Sequence, residues 1–361
     1  MPGMLHSIKR NVSDRFFGQF SLDIGIDLGT ANTLVYVKGR GIIINEPSIV
    51  AVNQRTGQIL AIGKQAKKMV GKTPAHIVVT RPLVNGVISD FDVTQQMLQY
   101  FIGKVHKGSM MFLRRPRVLI GIPSGVTEVE KRAVVEAAQN AGARAAFLID
   151  EPMAAAIGAR LPVTEAAGNM VVDIGGGTTE IAVLSLGGVV LSRSLRVAGD
   201  KMNQDIVRYC RDEFNLLIGE RTAEETKIAI GSAFPLREKL TMPIRGRDLV
   251  SGLPKEVIVT DEHIREALSH SIRIITNAIK TIVEETPPEL LSDVMGRGII
   301  LAGGGSLIRG IDKLFANQTS IPIRLMEDPL TAVVRGTGIV LDDMDGLRDV
   351  LIETETAGAL R

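Results

Sequence analysis

The chain carries one pattern twice, first as Ile26-Asp27-Leu28-Gly29-Thr30-Ala31-Asn32-Thr33-Leu34-Val35 and later as Val172-Asp173-Ile174-Gly175-Gly176-Gly177-Thr178-Thr179-Glu180-Ile181. Each copy reads as an apolar strand that ends in Asp, a tight turn of Gly and Thr, and a returning apolar strand. An internal duplication of this kind predicts two similar halves that face one another. Two such turns, opposed across a cleft, suit a polyphosphate with a metal ion between them. The alternative is two β-hairpins with ordinary glycine turns, and the match in register favours the nucleotide site.

The two turns supply the groups that a phosphate chain needs. Glycine lets the backbone approach a ligand closely, and successive backbone N–H groups form a concavity that binds anions. The candidate contacts are Gly29, Thr30, Ala31, Asn32 and Thr33 in the first turn and Gly175, Gly176, Gly177 and Thr178 in the second. Asp27 and Asp173 would repel phosphate unless a cation lay between, so we expect Mg²⁺ to be held there through water.

A third glycine cluster follows the apolar run Ile299-Ile300-Leu301. We expect it to form the wall of the site against adenosine, although a helix cap or a packing turn would show the same composition. Its candidate residues are Gly303, Gly304, Gly305, Ser306 and Leu307. Gly71-Lys72-Thr73 resembles the end of a P-loop, but Ala66 stands where that motif requires its first glycine.

These segments together resemble the actin/Hsp70/hexokinase ATPase superfamily and, in detail, its bacterial actin-like MreB/Mbl family. The similar stretches lie between residue 22 and about residue 340; besides the two turns they include Arg81-Pro82-Leu83, Gly86 to Phe91, Pro123-Ser124-Gly125, Glu151 to Gly158 and Glu327-Asp328-Pro329-Leu330. The resemblance implies an α/β, actin-like (ribonuclease H-like) ATPase fold, with two lobes around a nucleotide cleft. Alternating strand and helix patterns along the chain independently indicate α/β layers.

The resemblance also implies a division of the chain. Residues 22–150 would form lobe I with an insertion at about 43–87, and residues 151–340 would form lobe II with an insertion at about 198–256. Residues 341–361 would return to lobe I, and residues 1–21 would be a separate amphipathic segment.

The resemblance assigns roles to particular residues near the γ-phosphate of ATP. Glu151 aligns with the carboxylate that orients the attacking water, and Thr178 aligns with its hydrogen-bonding partner. From the residues alone, Glu151 is also a favourable acid at a helix N-terminus, and the neighbouring Asp150 could be confused with it. Glu224 and Lys227 are three residues apart on one predicted helix face, which in this family closes over adenosine; an ordinary surface pair is the alternative.

Composition excludes several classes of protein. The formal net charge is only +2, so we expect no nucleic acid as a partner. The single cysteine, Cys210, excludes a disulfide framework, and we expect it to be a small core residue. No run approaches the roughly 18–20 apolar residues of a membrane-spanning helix, and the N-terminus lacks the pattern of a secretory signal. We therefore expect a cytoplasmic protein.

Two segments predict peripheral binding at the inner membrane face. In residues 4–20, Leu5, Ile8, Val12 and Phe16 share one helical face, and basic residues nearby suit anionic lipid. The second is the apolar run Met110, Met111, Phe112 and Leu113, followed by three arginines within four positions; in this family the matching loop inserts into membranes. A leader or a helix packed on its own domain is the alternative for the first, and a protein contact for the second.

We expect from these features an ATP-dependent cytoskeletal filament that polymerises with itself on the membrane and hydrolyses ATP slowly. The family implies a role in cell shape through organisation of peptidoglycan synthesis, with membrane-embedded shape proteins and wall-synthesis enzymes as partners. The alternative is a small-molecule kinase on the same fold, and a chaperone-type ATPase is a third possibility. A fold alone does not decide among them.

Overall fold

The computed structural model of the chain describes residues 22–105 and 115–352. The first half of the chain, up to residue 150, contains the following elements in chain order: β1 (Ile24–Leu28), β2 (Asn32–Val37), β3 (Gly41–Pro47), β4 (Val50–Asn53), β5 (Ile59–Ile62), α1 (Lys64–Lys67), β6 (Ile77–Thr80), β7 (Leu83–Val84), β8 (Val87–Ile88), α2 (Phe91–Val105), β9 (Arg117–Ile122), α3 (Glu128–Asn140) and β10 (Ala145–Asp150).

The second half continues with α4 (Glu151–Gly158), β11 (Asn169–Ile174), β12 (Thr179–Ser185), β13 (Gly188–Leu195), α5 (Gly199–Phe214), β14 (Leu216–Leu217), α6 (Glu220–Ile230), β15 (Thr241–Asp248), β16 (Pro254–Thr260), α7 (Asp261–Glu285), α8 (Pro288–Arg297), β17 (Ile299–Ala302), α9 (Ile311–Thr319), β18 (Ile323–Leu325) and α10 (Ala332–Asp342). Three short 3₁₀ helices lie at Gly304–Leu307, Pro329–Thr331 and Arg348–Val350.

Two five-stranded sheets share one topology. Sheet I has the order β10-β9-β1-β2-β3 and sheet II the order β18-β17-β11-β12-β13. In both, the central strand pairs antiparallel with the hairpin strand that follows it and parallel with a strand from much later in the chain. The duplication seen in the sequence is therefore a duplication of whole sheets, and the predicted α/β fold is confirmed.

Smaller sheets are attached to each large one. Strands β5-β4-β6 form a three-stranded sheet beside sheet I, and β14-β15-β16 form another beside sheet II. Position 43, at which the sequence placed the first insertion, lies within β3 at the edge of sheet I, so the small sheet begins at Val50. Strand β3 pairs antiparallel with β2 and so belongs to sheet I. Its composition does not distinguish it from the strands of the small sheet that follow.

Helices α4 and α10 lie between the two sheets and pack closely on one another. A side chain at Gly336 would collide with the backbone oxygen of Ala154, and one at Gly158 with that of Ala332. A shared apolar cluster around these helices includes Leu119 from sheet I and Val171 from sheet II. These contacts fix how the two central hairpins face one another.

Candidate nucleotide site

The two turns of the repeat lie in direct contact across a cleft. We call residues 29–32 turn I and residues 175–178 turn II. A methyl group at Gly176 would stand 2.6 Å from the Cβ of Ala31, and one at Gly177 would stand 2.6 Å from the Oγ1 of Thr30. Real Cβ atoms do not approach so closely, so turn II can meet turn I only because Gly176 and Gly177 have no side chain.

Turn I is held by the chain that follows its own sheet. The Ser48 hydroxyl donates to the carbonyl of Gly29 at 2.6 Å, and the Ser48 backbone N–H donates to the carbonyl of Ala31 at 3.0 Å. The N–H of Gly86 donates to Thr30 Oγ1 at 2.9 Å. Three hydrogen bonds from outside the turn thus fix its shape.

Turn II is held by the beginning of helix α5. Within the turn, the N–H of Gly175 donates to the carbonyl of Thr178 at 2.9 Å. The N–H groups of Gly199 and Asp200 donate to the carbonyls of Gly175 and Gly176 at 3.1 and 2.8 Å. The first turn of α5 is therefore anchored directly on the candidate phosphate loop.

The third glycine cluster closes the cleft beside turn II. Gly303 has a φ of 76°, and a side chain there would collide with the carboxylate of Asp173. Gly304–Leu307 forms a short 3₁₀ helix, and the hydroxyl of Ser306 donates to the carbonyl of Gly303 at 2.6 Å. The cluster lies where the sequence placed one wall of the site.

A cavity of about 420 Å³ lies between these three segments. Most of the residues predicted from the sequence line it: Asp27, Gly29, Thr30, Ala31, Asn32, Glu151, Asp173, Gly175, Gly176, Gly177, Thr178, Glu224, Lys227, Gly303, Gly304, Gly305 and Leu307. A cavity of this size is typical of small-molecule sites.

Thr33 and Ser306 are not among the lining residues. Thr33 is fully buried in β2, and its hydroxyl is 2.8 Å from that of Ser48. Successive side chains of a strand point to opposite faces, so Asn32 can face the cavity only if Thr33 turns away. The Ser306 hydroxyl is used within its own turn, as described above. Both residues support the walls of the site.

Four carboxylates face the cavity with little to neutralise them. Burial and the charge of Asp173 raise the pKa of Asp27 to about 8, and burial raises the pKa of Asp173 to about 7. Burial, followed by the charges of Asp27 and Glu180, raises the pKa of Glu151 well above its usual range. The pKa of Glu180 rises to about 7, mainly through burial. Ionising all four carboxyls together at neutral pH is therefore unfavourable unless a cation lies beside them.

The arrangement fits Mg²⁺ better than a metal held by protein alone. Within the described residues, no group of three or more His, Cys, Asp or Glu side chains is placed to enclose a metal ion. Mg²⁺ usually takes one or two carboxylates and completes its shell with water and phosphate oxygens. Asp27 and Asp173, one from each sheet, meet that requirement.

Glu151 occupies the first position of helix α4, directly after strand β10. It is only 9% exposed, although an acid at a helix N-terminus is ordinarily solvated, and it lines the cavity. Thr178 is also buried and lines the same cavity. The neighbouring Asp150 is the last residue of β10 and is absent from the lining residues.

Ion pairs cross the mouth of the cleft. Arg81 follows β6 beside sheet I, and its Nη1 is 2.7 Å from Oδ2 of Asp200 in helix α5. Its Nη2 is 3.3 Å from Oε1 of Glu220, and Nζ of Lys67 is 3.3 Å from Oε2 of Glu224. Glu224 of helix α6 therefore contacts helix α1 of the first half as well as lining the cavity. Lys227 donates its Nζ to the carbonyl of Gly199 at 2.7 Å, and burial lowers the pKa of its ammonium.

Several lining residues were not predicted from the sequence. The polar ones are Glu180, Asp200 and Asn203, and the others are Leu34, Gly86, Gly199, Ile228, Ile308, Pro329, Leu330 and Val333. The sequence offered a signal for Glu180: in the alignment of the two copies it is a charged residue at the position where the first copy has the apolar Leu34. The register confirms this: Asp173 pairs with Glu180, as Asp27 pairs with Leu34.

The predicted membrane residues lie outside the described part of the chain. This applies to Leu5, Ile8, Val12 and Phe16 and equally to Met110, Met111, Phe112 and Leu113. Among the helices within 22–105 and 115–352, none combines the length and apolarity that crossing a bilayer requires.

Comparison with known sequences identifies relatives over nearly the whole chain. Residues 21–349 match the family model described as MreB/Mbl protein. The cell shape-determining protein MreB of Escherichia coli K12 is 52% identical over 335 residues, covering 92% of this chain and 96% of the relative. The cell shape-determining protein Mbl of Bacillus subtilis 168 is 48% identical over 328 residues, covering 91% and 98%.

Solved structures show the same architecture. MreB5 of Spiroplasma citri bound to AMPPNP superposes with a TM-score of 0.86 at 41% identity, covering 91% of this chain and 98% of that one. The same protein bound to ADP also gives a TM-score of 0.86. The MamK double helical filament, at 22% identity and a TM-score of 0.75, shares the fold.

Proposed function

The chain belongs to the MreB/Mbl family, and from that premise we propose that it is a cytoskeletal ATPase whose filaments determine cell shape. The observation that carries the proposal is the contact between turns I and II: Asp27 and Asp173 line one cavity, which the glycine cluster 303–305 closes beside turn II. The S. citri relative binds AMPPNP and ADP, which supports a nucleotide in the corresponding place here.

The residues of the cavity divide the work of ATP hydrolysis among them. Backbone N–H groups of both turns would bind the phosphates. Asp27 and Asp173 would hold a hydrated Mg²⁺, which would neutralise the charge of the phosphates. Glu151 orients the attacking water and accepts its proton, with Thr178 as its hydrogen-bonding partner. Positioning and charge neutralisation account for most of the catalysis. We expect turnover to be slow, so that hydrolysis times the life of a filament.

Assembly and location follow from the family and from segments outside the described residues. The chain would polymerise with itself through unlike surfaces, a geometry that permits open filaments. Residues 1–21 and the 110–113 run would bind anionic lipid at the inner membrane face, since repeated weak anchors bind by avidity along a filament. Membrane-embedded shape proteins and wall-synthesis enzymes would be the partners through which the filament organises peptidoglycan synthesis.

We keep the proposed division into lobe I (22–150), lobe II (151–340) and a returning C-terminal segment (341–361). The helix α10 supports it, because Nζ of Lys38 in the first half donates to the carbonyl of Leu341 at 2.7 Å. The N–H of Ile352 also donates to the carbonyl of Leu148 in sheet I at 2.9 Å.

The small-molecule kinase is not favoured by these findings. The relatives described above are cell shape-determining proteins that match almost their full length to this chain. A kinase would also need a base beside a substrate hydroxyl at the γ-phosphate, and Glu151 is better suited to water.

The proposal is tested by separating assembly from hydrolysis. Glu151→Gln preserves size and hydrogen bonding but removes the base, so phosphate release with Mg-ATP should fall by about a hundredfold or more. Sedimentation of polymer with Mg-ATP should remain at the level of the unaltered chain. Asp150→Asn, at the adjacent position outside the cavity lining, is the matched control. Phosphate release that is unchanged in Glu151→Gln would remove Glu151 from the mechanism.

A further inference from the structure

Asn203 carries a buried acceptor without a partner at the edge of the nucleotide cavity. The residue is 3% exposed and lines the cavity. Its Oδ1 and the hydroxyl oxygen of Ser124 are the two buried side-chain oxygens that lack a hydrogen bond within the described residues. Leaving such a group unpaired is unfavourable, so a ligand with a donor at this position would gain from pairing with it.

The place of Asn203 in helix α5 limits which part of a nucleotide it can reach. Gly199, one turn earlier on the same helix face, is fixed on turn II by its hydrogen bond to Gly175. Four residues of α-helix advance by about 6 Å along the axis. Asn203 therefore lies about one helical turn beyond the phosphate loop.

The hydrogen-bonding chemistry of a nucleotide limits which of its groups can donate to the Oδ1 of Asn203. Phosphate oxygens at neutral pH accept hydrogen bonds, so they cannot satisfy an acceptor. A nucleoside phosphate has donors at its ribose hydroxyls and, farther from the phosphates, on its base. Lys227 and Glu224 of helix α6 line the same cavity, and Lys227 donates to the carbonyl of Gly199 at the start of α5. The ribose is the part of the ligand that lies one step from the phosphates.

We propose that the Oδ1 of Asn203 accepts a hydrogen bond from a ribose hydroxyl and makes the site select ribonucleotides over deoxyribonucleotides. This assignment rests on the proposed nucleotide function of the cavity. It adds a specificity residue from α5 to the residues of α6 that the sequence identified.

The test compares ADP with 2′-deoxy-ADP and 3′-deoxy-ADP by isothermal titration in Mg²⁺. The unaltered chain should bind ADP about 2- to 13-fold more tightly than one of the two analogues, the factor of a single neutral hydrogen bond. Asn203→Leu, similar in size but without the acceptor, should lose that factor for ADP and bind ADP and the same analogue equally. Asn203→Asp keeps an oxygen at the position and should retain a preference for ribose.

Asn277→Leu, on the exposed face of helix α7, is the matched control and should bind all three ligands as the unaltered chain does. A thermal melt establishes that each variant is folded, and Asn203→Ala takes the place of Asn203→Leu if the branched apolar side chain prevents folding. A variant without the acceptor that still prefers ribose by the original factor would overturn the assignment. So would an unaltered chain that binds all three ligands equally.

Failure of the wider proposal would look different. An unaltered chain that binds none of the three nucleotides would overturn the nucleotide function and this assignment with it. A loss in Asn203→Leu that is the same for all three ligands would overturn only the ribose contact.

Discussion

Turns I and II occupy the same place in two sheets of the same topology, yet they are built differently. Turn I, Gly29-Thr30-Ala31-Asn32, carries side chains and is held by Ser48 and Gly86 from connecting segments. Turn II consists of three glycines and a threonine and is held by backbone N–H groups at the start of helix α5. The side chains of turn I fill the space that the glycines of turn II leave open.

The strands after the turns differ in charge. Leu34 stands opposite Asp27, whereas Glu180 stands opposite Asp173. Glu180 accepts a hydrogen bond from the hydroxyl of Ser194 at 2.6 Å and another from the N–H of Ser124 at 3.2 Å. Ser124 follows strand β9 of sheet I, so Glu180 also links the two halves. The duplication places similar turns on both sides of the site. The two copies differ in that the glycines of turn II allow close approach, whereas Glu180 after turn II makes polar contacts with Ser194 and Ser124.

The largest effect should come from the two aspartates. Asp27→Asn and Asp173→Asn each remove a charge that would hold hydrated Mg²⁺, so affinity for ADP in Mg²⁺ should fall about 10- to 100-fold in both. In EDTA at about pH 9, above the pKa values of both aspartates, the sign should reverse, because each variant then removes a repulsion toward phosphate. Titration calorimetry with and without Mg²⁺ measures both effects. A loss confined to one variant would show that only one turn holds the ion.

Substitutions at Gly176 and Gly29 distinguish the contact between the two turns from the backbone geometry within one turn. Gly176→Ala places a methyl group against Ala31, and overpacking of this kind should weaken ADP binding about fivefold to a hundredfold. Adding Ala31→Gly removes the obstructing atom and should restore part of the affinity. Gly29→Ala meets the carbonyl of Asn32 within its own turn at 2.7 Å, so Ala31→Gly should not rescue it. Equal rescue of both would contradict the account.

Glu180 should make stability depend on pH in the absence of ligand. Its pKa is about 7 in the folded chain against 4.5 for an ordinary Glu, so the folded state binds the proton more tightly than the unfolded state. The free energy of unfolding should therefore fall as pH rises from about 4.5 to about 7. Glu180→Gln removes the charge; its amide oxygen can accept from the N–H of Ser124, and its amide nitrogen can donate to the hydroxyl of Ser194. In EDTA, its melting temperature relative to the unaltered chain should be higher at pH 8 than at pH 5. A constant difference would mean that Glu180 stays ionised.

The smallest effect should come from the ion pairs at the mouth of the cleft. Arg81→Glu turns the contacts with Asp200 and Glu220 into repulsions, and partly exposed pairs are worth up to about 1 kcal/mol. Dissociation of ADP, followed by stopped flow, should accelerate about two- to fivefold. Arg55→Glu, in an exposed turn of the small sheet, changes the net charge equally and should leave the rate unaltered. Equal acceleration in both variants would indicate a general charge effect.

Much of the fold could be predicted from local sequence. The strand–Asp–turn pattern predicts both central hairpins, and the alternation of strand and helix patterns predicts the α/β layers. Helix α4 ends at Gly158, and Arg160 just beyond it takes a φ of 58° ahead of Pro162. The family expectation was confirmed by relatives about 50% identical to this chain.

The site was less accessible to sequence reasoning where long-range contacts decide it. Arg81 and Asp200 are 119 positions apart, and nothing in their spacing predicts that they meet. Asn203 is one polar residue among several in an amphipathic helix, and only burial without a partner sets it apart. Thr33 was expected to contact the ligand because of its place in the motif; in the structure it is buried and does not line the cavity, as strand alternation requires when Asn32 does. Spacing predicts which turns meet a ligand; packing decides which side chains face it.

The central claim, that one nucleotide site built from both turns drives a membrane-bound filament, is tested most directly by electron microscopy. The purified chain would be imaged by negative stain with anionic liposomes, with and without Mg-ATP, beside Gly176→Ala and Gly176→Ala with Ala31→Gly. We expect Mg-ATP to produce filaments on the lipid, Gly176→Ala to lose them, and the double variant to recover them. Hydrolysis of ATP without polymer at any lipid or salt condition would contradict the account.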